Sequence, residues 1–172
     1  MKVTSEYLSA LESNFGGKYF FRIPVVQRRL NVASINEGAT CETSSDYNKN
    51  YGCRNALDGQ KTTNSPEWAT FRQDVGAWIN ISLSAARLVT NINLYRRSNN
   101  RKEDASRVNV YFSNGGIEGI ETPFCSSENG NNILAELDID PVITDYVITV
   151  IADACQETVN VGFREVEIYA LV

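Results

Sequence analysis

The 172-residue chain contains no histidine. That absence removes Ser-His-Asp and Cys-His catalysis together with every histidine-bearing metal site. Carboxylates, arginines, phenols and thiols are the groups left for chemistry. Glu165 and Glu167 stand two positions apart near the C-terminus. Glycoside hydrolysis needs its two carboxyl groups facing each other across a cleft, whereas alternate residues of one strand share a face. The pair therefore suits an ion ligand and its neighbour better than an acid and its nucleophile. Acyl or phosphoryl transfer also needs a base near neutral pKa, so a non-enzymatic chain is expected.

The remaining polar groups are binding groups. Tyr47 and Tyr51 lie in a loop rich in Ser, Asp, Asn and Gly. Aromatic faces beside Asn and Asp suit stacking under a sugar ring and hydrogen bonding to its hydroxyls better than bilayer insertion. Arg96 and Arg97, with Asn99, Asn100, Arg101 and Lys102, come after an apolar strand, and Arg72 sits in Phe71-Arg72-Gln73-Asp74 ahead of another. Planar guanidinium forks match carboxylates and sulfates. Against these readings stand a solvated loop pinned by its tyrosines and a solvated basic hairpin tip. Asn80-Ile81-Ser82 is a glycosylation sequon on a strand, with Asn80 facing away from Ile79, Ile81 and Leu83 and so outward.

Cys41, Cys53, Cys125 and Cys155 form none of the CxxC pairs of zinc or redox sites. An even count at wide spacing reads as two disulfides made in an oxidising compartment, hence an extracellular, secreted protein. Three pairings exist; Cys41–Cys53 with Cys125–Cys155 is favoured because each closes a short, turn-rich segment. The N-terminus lacks the charged head and apolar core of a signal peptide, so a leader would already have been removed. No apolar run approaches the ~18 residues that cross a bilayer. A net charge of −5 and a pI near 4.8 argue against nucleic acid as a partner.

Those groups must be held by a scaffold, and the apolar pattern says which. Tyr7, Leu8 and Leu11 recur at helical spacing, predicting a short N-terminal helix, and residues 18–26 read as a strand limited by Pro24. Further on the period is two: Ile79, Ile81 and Leu83; Ile92 and Leu94; Val108, Val110 and Phe112; Tyr146, Ile148 and Val150; Val166 and Ile168. Turn clusters such as Ser113-Asn114-Gly115-Gly116 and Glu128-Asn129-Gly130 separate them. Short strands with frequent turns predict an all-β sandwich or jelly roll.

An ordered series of segments then carries a resemblance: Asn31-Val32-Ala33, Asn55-Ala56-Leu57-Asp58-Gly59, Trp68-Ala69-Thr70, Gly76-Ala77-Trp78-Ile79, Ile92-Asn93-Leu94-Tyr95-Arg96-Arg97, Arg107-Val108-Asn109-Val110-Tyr111-Phe112-Ser113 and Glu165-Val166-Glu167-Ile168-Tyr169. The series resembles the discoidin, or coagulation factor V/VIII C-type, family of the galactose-binding-like superfold, near F-type lectins and family 32 carbohydrate-binding modules. The resemblance runs from Asn31 to the C-terminus and divides the chain into an N-terminal extension, 1–30, and a domain, 31–172. It implies an eight-stranded jelly-roll β-sandwich with ligand sites in loops at one end, and tryptophans 68 and 78 packed against the sandwich. It also implies structural calcium held by Asp58, Gln60, Thr63 and Glu165, oxygen donors of the kind calcium takes. The competing reading of Asp58-Gly59 is a turn that bonds its own backbone.

The function these groups and the resemblance imply is that of a lectin-like recognition module contacting a glycan or glycoprotein through Tyr47, Tyr51, Arg72, Arg97 and Asn99. Arg97 lies near the first fucose-gripping arginine of F-type lectins. Their histidine is absent, and Glu103 and Asp104 occupy the region of their second arginine, so an acidic sugar stands as the alternative to fucose. The other reading is an adhesion domain that binds a protein or anionic phospholipid through the same loops. Single lectin sites are weak, so avidity from a homo-oligomer is expected.

Overall fold

The computed structural model describes residues 28–62, 64–97, 103–125, 134–156 and 160–172. Within them the chain forms seven antiparallel strands: β1 (Arg29–Asn31), β2 (Thr40–Thr43), β3 (Trp78–Tyr95), β4 (Ala105–Phe112), β5 (Gly115–Glu121), β6 (Leu134–Ala154) and β7 (Glu165–Leu171). Short 3-10 turns occupy Ile35–Glu37 and Cys53–Leu57. The helix expected around Tyr7–Leu11 and the strand expected over 18–26 lie outside the described residues. β1 pairs with β7 and places Arg29 and Leu30 on the sheet edge.

The two longest strands turn one hydrogen-bonded ladder into a sandwich. Trp78–Ser82 of β3 pairs with β2 on one side and with Tyr146–Val150 of β6 on the other. Beyond a register shift between Ser82 and Arg87, the rest of β3 pairs instead with β7 and with Leu134–Thr144 of β6. One layer is thus β1-β7-β3-β6 and the other β2-β3-β6-β4-β5, with β3 and β6 bending from layer to layer. Alternation lapses at the exposed Ser84, Ala85 and Ala86, where the sequence reads two separate strands. The chain bends there without breaking, so one continuous strand runs where the sequence reads two. Pro141 falls where β6 has a ladder partner on one side alone, a position that tolerates a missing N–H.

Inward-facing residues of both layers, among them Ile79, Ile81, Ile92, Leu94, Val108, Val110, Ile151, Val166 and Ile168, form one core without solvent exposure. Trp68 is fully buried with its ring centroid 5.9 Å from that of Phe163, whereas Trp78 is half-buried. Asn80 faces away from Ile79 and Ile81 as expected. It stands between Glu42 of β2 and Ile148 of β6, however, with its Oδ1 enclosed, so its carboxamide is less open than a sequon on an outward face suggests. The disulfides are Cys41–Cys53 and Cys125–Cys155, the favoured pairing. The first ties β2 to the 3-10 turn that precedes Asp58, and the second ties the end of β5 to the end of β6.

Candidate glycan-binding cleft and ion-binding turn

Four loop segments meet at one end of the sandwich, and backbone hydrogen bonds lock them together. The Trp68 and Thr70 amides donate to the Phe163 and Val161 carbonyls at 2.9 and 2.8 Å, and the Tyr47 amide donates to the Ala69 carbonyl at 2.6 Å. The Ala69 amide in turn donates to the Tyr51 carbonyl at 3.2 Å. Side chains add to this: the Trp68 indole donates to the Ser45 carbonyl (3.1 Å), and the Thr70 hydroxyl donates to the Gln73 carbonyl while accepting from the Val161 amide. A loop tied to buried groups in this way holds its exposed side chains in fixed places, as a preorganised site requires.

Tyr47, Tyr51, Arg97, Glu103 and Asn160 line a cleft of about 210 Å3 among these loops. Three of the five were named from sequence. Tyr47 and Tyr51 meet edge to face with centroids 5.6 Å apart, and Phe71 meets Tyr47 at 6.0 Å. Tyr47 and Phe71 are 46% and 50% exposed, an apolar corner open to a ligand. Arg72 adopts φ 51°, a left-handed backbone that non-glycine residues enter at some cost and that clusters at functional loops. Its amide donates to Asn160 Oδ1 at 3.2 Å, so Arg72 flanks the cleft through its backbone. Asn99 lies outside the described residues.

Arg97 lines the cleft with its guanidinium already paired. Its Nε and Nη2 both lie 2.8 Å from Glu67 Oε1, and its Nη1 lies 2.6 Å from Glu103 Oε2. Two carboxylates occupy the fork, because residues 67 and 103 converge on Arg97 from separate loops. Beneath it, Arg96, Asp104 and Arg164 are buried. Arg96 Nη1 sits 3.6 Å from Asp104 Oδ2, and burial pushes the Asp104 carboxyl up to about 7 against the pull of that guanidinium. Glu103 and Asn160 are the cleft residues that sequence reasoning missed, as it missed Glu67, the buried partner of Arg97. Glu103 was visible only as a residue out of place for an F-type lectin, and nothing in the spacing points to Asn160.

A second cluster surrounds the Asn55-Ala56-Leu57-Asp58-Gly59 turn. Asp58 Oδ1 accepts from the Gln60 amide at 2.8 Å, and the Gly59 amide donates to Glu165 Oε1 at 3.1 Å. The fold thus brings Asp58 and Glu165 together. Glu165 is fully buried and its Oε2 has no hydrogen-bond partner. Burial, then the nearby Asp58 and Glu167, raise its carboxyl to about 8, with the Gly59 amide and Lys61 opposing. An orphaned carboxylate oxygen with a second carboxylate nearby is a donor set that a hard cation fits. Gln60 contributes its backbone amide to the turn, and Thr63 lies outside the described residues. Among the described residues no group of three or more acidic or cysteine side chains gathers as a metal site.

The fold and this loop-end cleft define an antiparallel jelly-roll sandwich of the galactose-binding-like type. Residues 31–169 match the family described as a domain of unknown function, DUF7402, and the chain belongs to that family. No curated protein matches it by sequence. Among solved structures it is similar to the family 32 carbohydrate-binding module of NanJ from C. perfringens in complex with galactose (TM-score 0.64, 16% identity, 83% of this chain and 99% of that one). It is also similar to chitosan-binding module 1 of a chitosanase/glucanase from Paenibacillus sp. (0.60, 19%, 82% and 99%). A third is the lectin domain of lectinolysin complexed with Lewis B antigen (0.60, 18%, 82% and 96%).

Proposed function

We propose that the protein is a non-enzymatic, extracellular recognition module that binds a neutral glycan in the cleft between Tyr51, Arg97 and Asn160. The observation that carries this reading is the composition of the cleft. An exposed aromatic corner stands beside a guanidinium whose charge two carboxylates balance. Aromatic faces take the apolar face of a sugar ring. Glu103 and Asn160 accept from hydroxyls, and the paired guanidinium leaves no net positive charge for an acid. Galactose, the sugar held by one of the similar structures, is uncharged, which supports the same class. Two disulfides support an oxidising, extracellular setting.

Because single sites of this size are weak, oligomerised protein on a glycan array is the appropriate test. Tyr51→Ala is expected to weaken any neutral ligand by roughly 0.5–1.5 kcal/mol, the worth of one aromatic contact. Arrays that stay blank for the oligomerised wild type overturn the reading.

Calcium at Asp58 and Glu165 completes the proposal. Asp58 and Glu165 would hold the ion, whose charge would offset their two carboxylates where the turn meets β7. Millimolar calcium is then expected to raise the melting temperature of chelator-stripped protein, since a ligand of the folded state alone stabilises it. Asp58→Ala is expected to abolish that response. A wild-type melting curve indifferent to calcium removes the ion.

A further inference from the structure

The outer face of the β1-β7-β3-β6 layer is polar by construction. With Ile92 and Leu94 turned to the core, Asn91, Asn93 and Tyr95 face out; with Val166 and Ile168 inward, Glu165, Glu167 and Tyr169 face out. Register sets these side by side. Asn93 stands opposite Glu167 on one flank and Glu136 on the other, and Asn91 stands opposite Tyr169 and Asp138. An outward polar face is ordinarily wet, yet Asn91 and Asn93 are each 7% exposed and Glu167 is 4% exposed. They form the floor of a recess.

Most of that floor is satisfied internally. Glu167 Oε2 accepts from the Tyr95 and Tyr169 hydroxyls, each at 3.1 Å, and from Asn93 Nδ2 at 3.5 Å, while Oε1 pairs with Lys61 at 2.5 Å. Asn91 Nδ2 donates to the Leu137 carbonyl and to Asp138 Oδ1. One atom is left over: Asn93 Oδ1 is buried without a hydrogen-bond partner, a costly state for a carbonyl oxygen. Asn93 also lines a depression of about 240 Å3 with Arg29, Asn91, Glu136 and Tyr169, none of which belongs to the loop-end cleft. Glu136 is exposed, and its side chain makes no hydrogen bond or ion pair with the other described residues. The Arg29 guanidinium stands 5.7 Å over the Tyr169 ring, within reach of the depression that both line.

An occupant must donate to Glu136 and, with the Asn93 carboxamide turned toward the depression, to its Oδ1, and must accept from Arg29. An anion meets Glu136 and Asp138 with Lys61 already taken by Glu167, and a cation meets Arg29. The volume is below the ~300 Å3 at which pockets for drug-sized ligands begin. Adjacent hydroxyls on one small ring meet all of these conditions. We propose that this sheet face is a second, independent binding site for a single neutral pyranose unit.

The test is an amide chemical-shift titration of the full chain with galactose, glucose and N-acetylglucosamine in turn, on a Tyr51→Ala background that weakens the loop-end cleft. At least one sugar is expected to shift the amides of residues 91–93, 136–138 and 169 saturably. Glu136→Gln, at an exposed position that leaves folding intact, is expected to weaken that binding by about tenfold. Asn93→Leu is expected to abolish it while leaving the melting temperature close to that of the wild type, because the unpaired oxygen goes together with the long 3.5 Å bond to Glu167, which keeps Tyr95, Tyr169 and Lys61. Shifts confined to residues 47–51, 71–72 and 160 overturn the second site and leave the loop-end reading standing. Sheet-face shifts that Glu136→Gln does not alter overturn it as well.

Discussion

Asp104 lies one residue beyond Glu103, fully buried, with Arg96 3.6 Å away, a distance too long for a hydrogen bond. An exposed aspartate loses its proton near 3.8, whereas this one keeps it to about 7. Between those values the folded state holds a proton that the unfolded state has released. Stability therefore falls as pH rises through that window and is level on either side of it with respect to this group. Asp104→Asn is expected to flatten the slope of denaturation free energy against pH between about 3.8 and about 7. An unchanged slope assigns the proton elsewhere. Residue type carries part of the site: Tyr47, Tyr51 and Arg97 are legible as binding groups because aromatic and guanidinium chemistry is local. Whether a guanidinium is free or already paired depends on which acids the fold brings to it, and the partners of Arg97 are 30 and 6 residues away.

The segment 160–164 contributes no regular strand yet positions the cleft. It runs beside 68–70, and Gly162 packs directly on the Trp68 carbonyl. A methyl group added there falls within the contact radius of a backbone oxygen that cannot move without breaking the loop bonds. Gly162→Ala is expected to destabilise the protein by roughly 1–3 kcal/mol, as overpacking does, in urea titrations, and to weaken glycan binding in parallel. A variant as stable as the wild type shows that the loops have slack. β5 illustrates the reverse limit. Gly115 and Gly116 read as part of a turn, but they begin the strand, and the turn is Ser113-Asn114 alone. Glycine marks where the backbone is free and does not say to which element it will belong; pairing with Tyr111 and Phe112 decides that.

Taken whole, the molecule carries a net charge of −5, and its cleft and sheet face both balance arginine against carboxylate. Long-range attraction of acidic glycans has no source in such a distribution. Raising salt from ~0.1 to ~1 M shortens the screening length from about 10 to about 3 Å, and neutral-glycan affinity is expected to change by less than about twofold. Sialylated or sulfated forms are expected to bind no tighter than their neutral parents. Acidic glycans preferred at low salt and lost at high salt would contradict the neutral reading.

By itself, the amino-acid sequence determined the all-β sandwich, the two cysteine pairs and the loops that carry binding groups. These come from local rules: side chains alternate with period two along a strand, turn residues set loop positions, and thiol spacing narrows the pairings. It did not determine that β3 and β6 serve both layers, because a bent strand and two short strands have the same alternation. It did not reveal Asn160 beside Tyr51, 88 residues from its partner Arg72, nor the recessed Asn93 with its unpaired oxygen. Those arise where distant backbones meet, and contact between segments far apart in the chain is decided by how the layers pack, which no window of sequence contains.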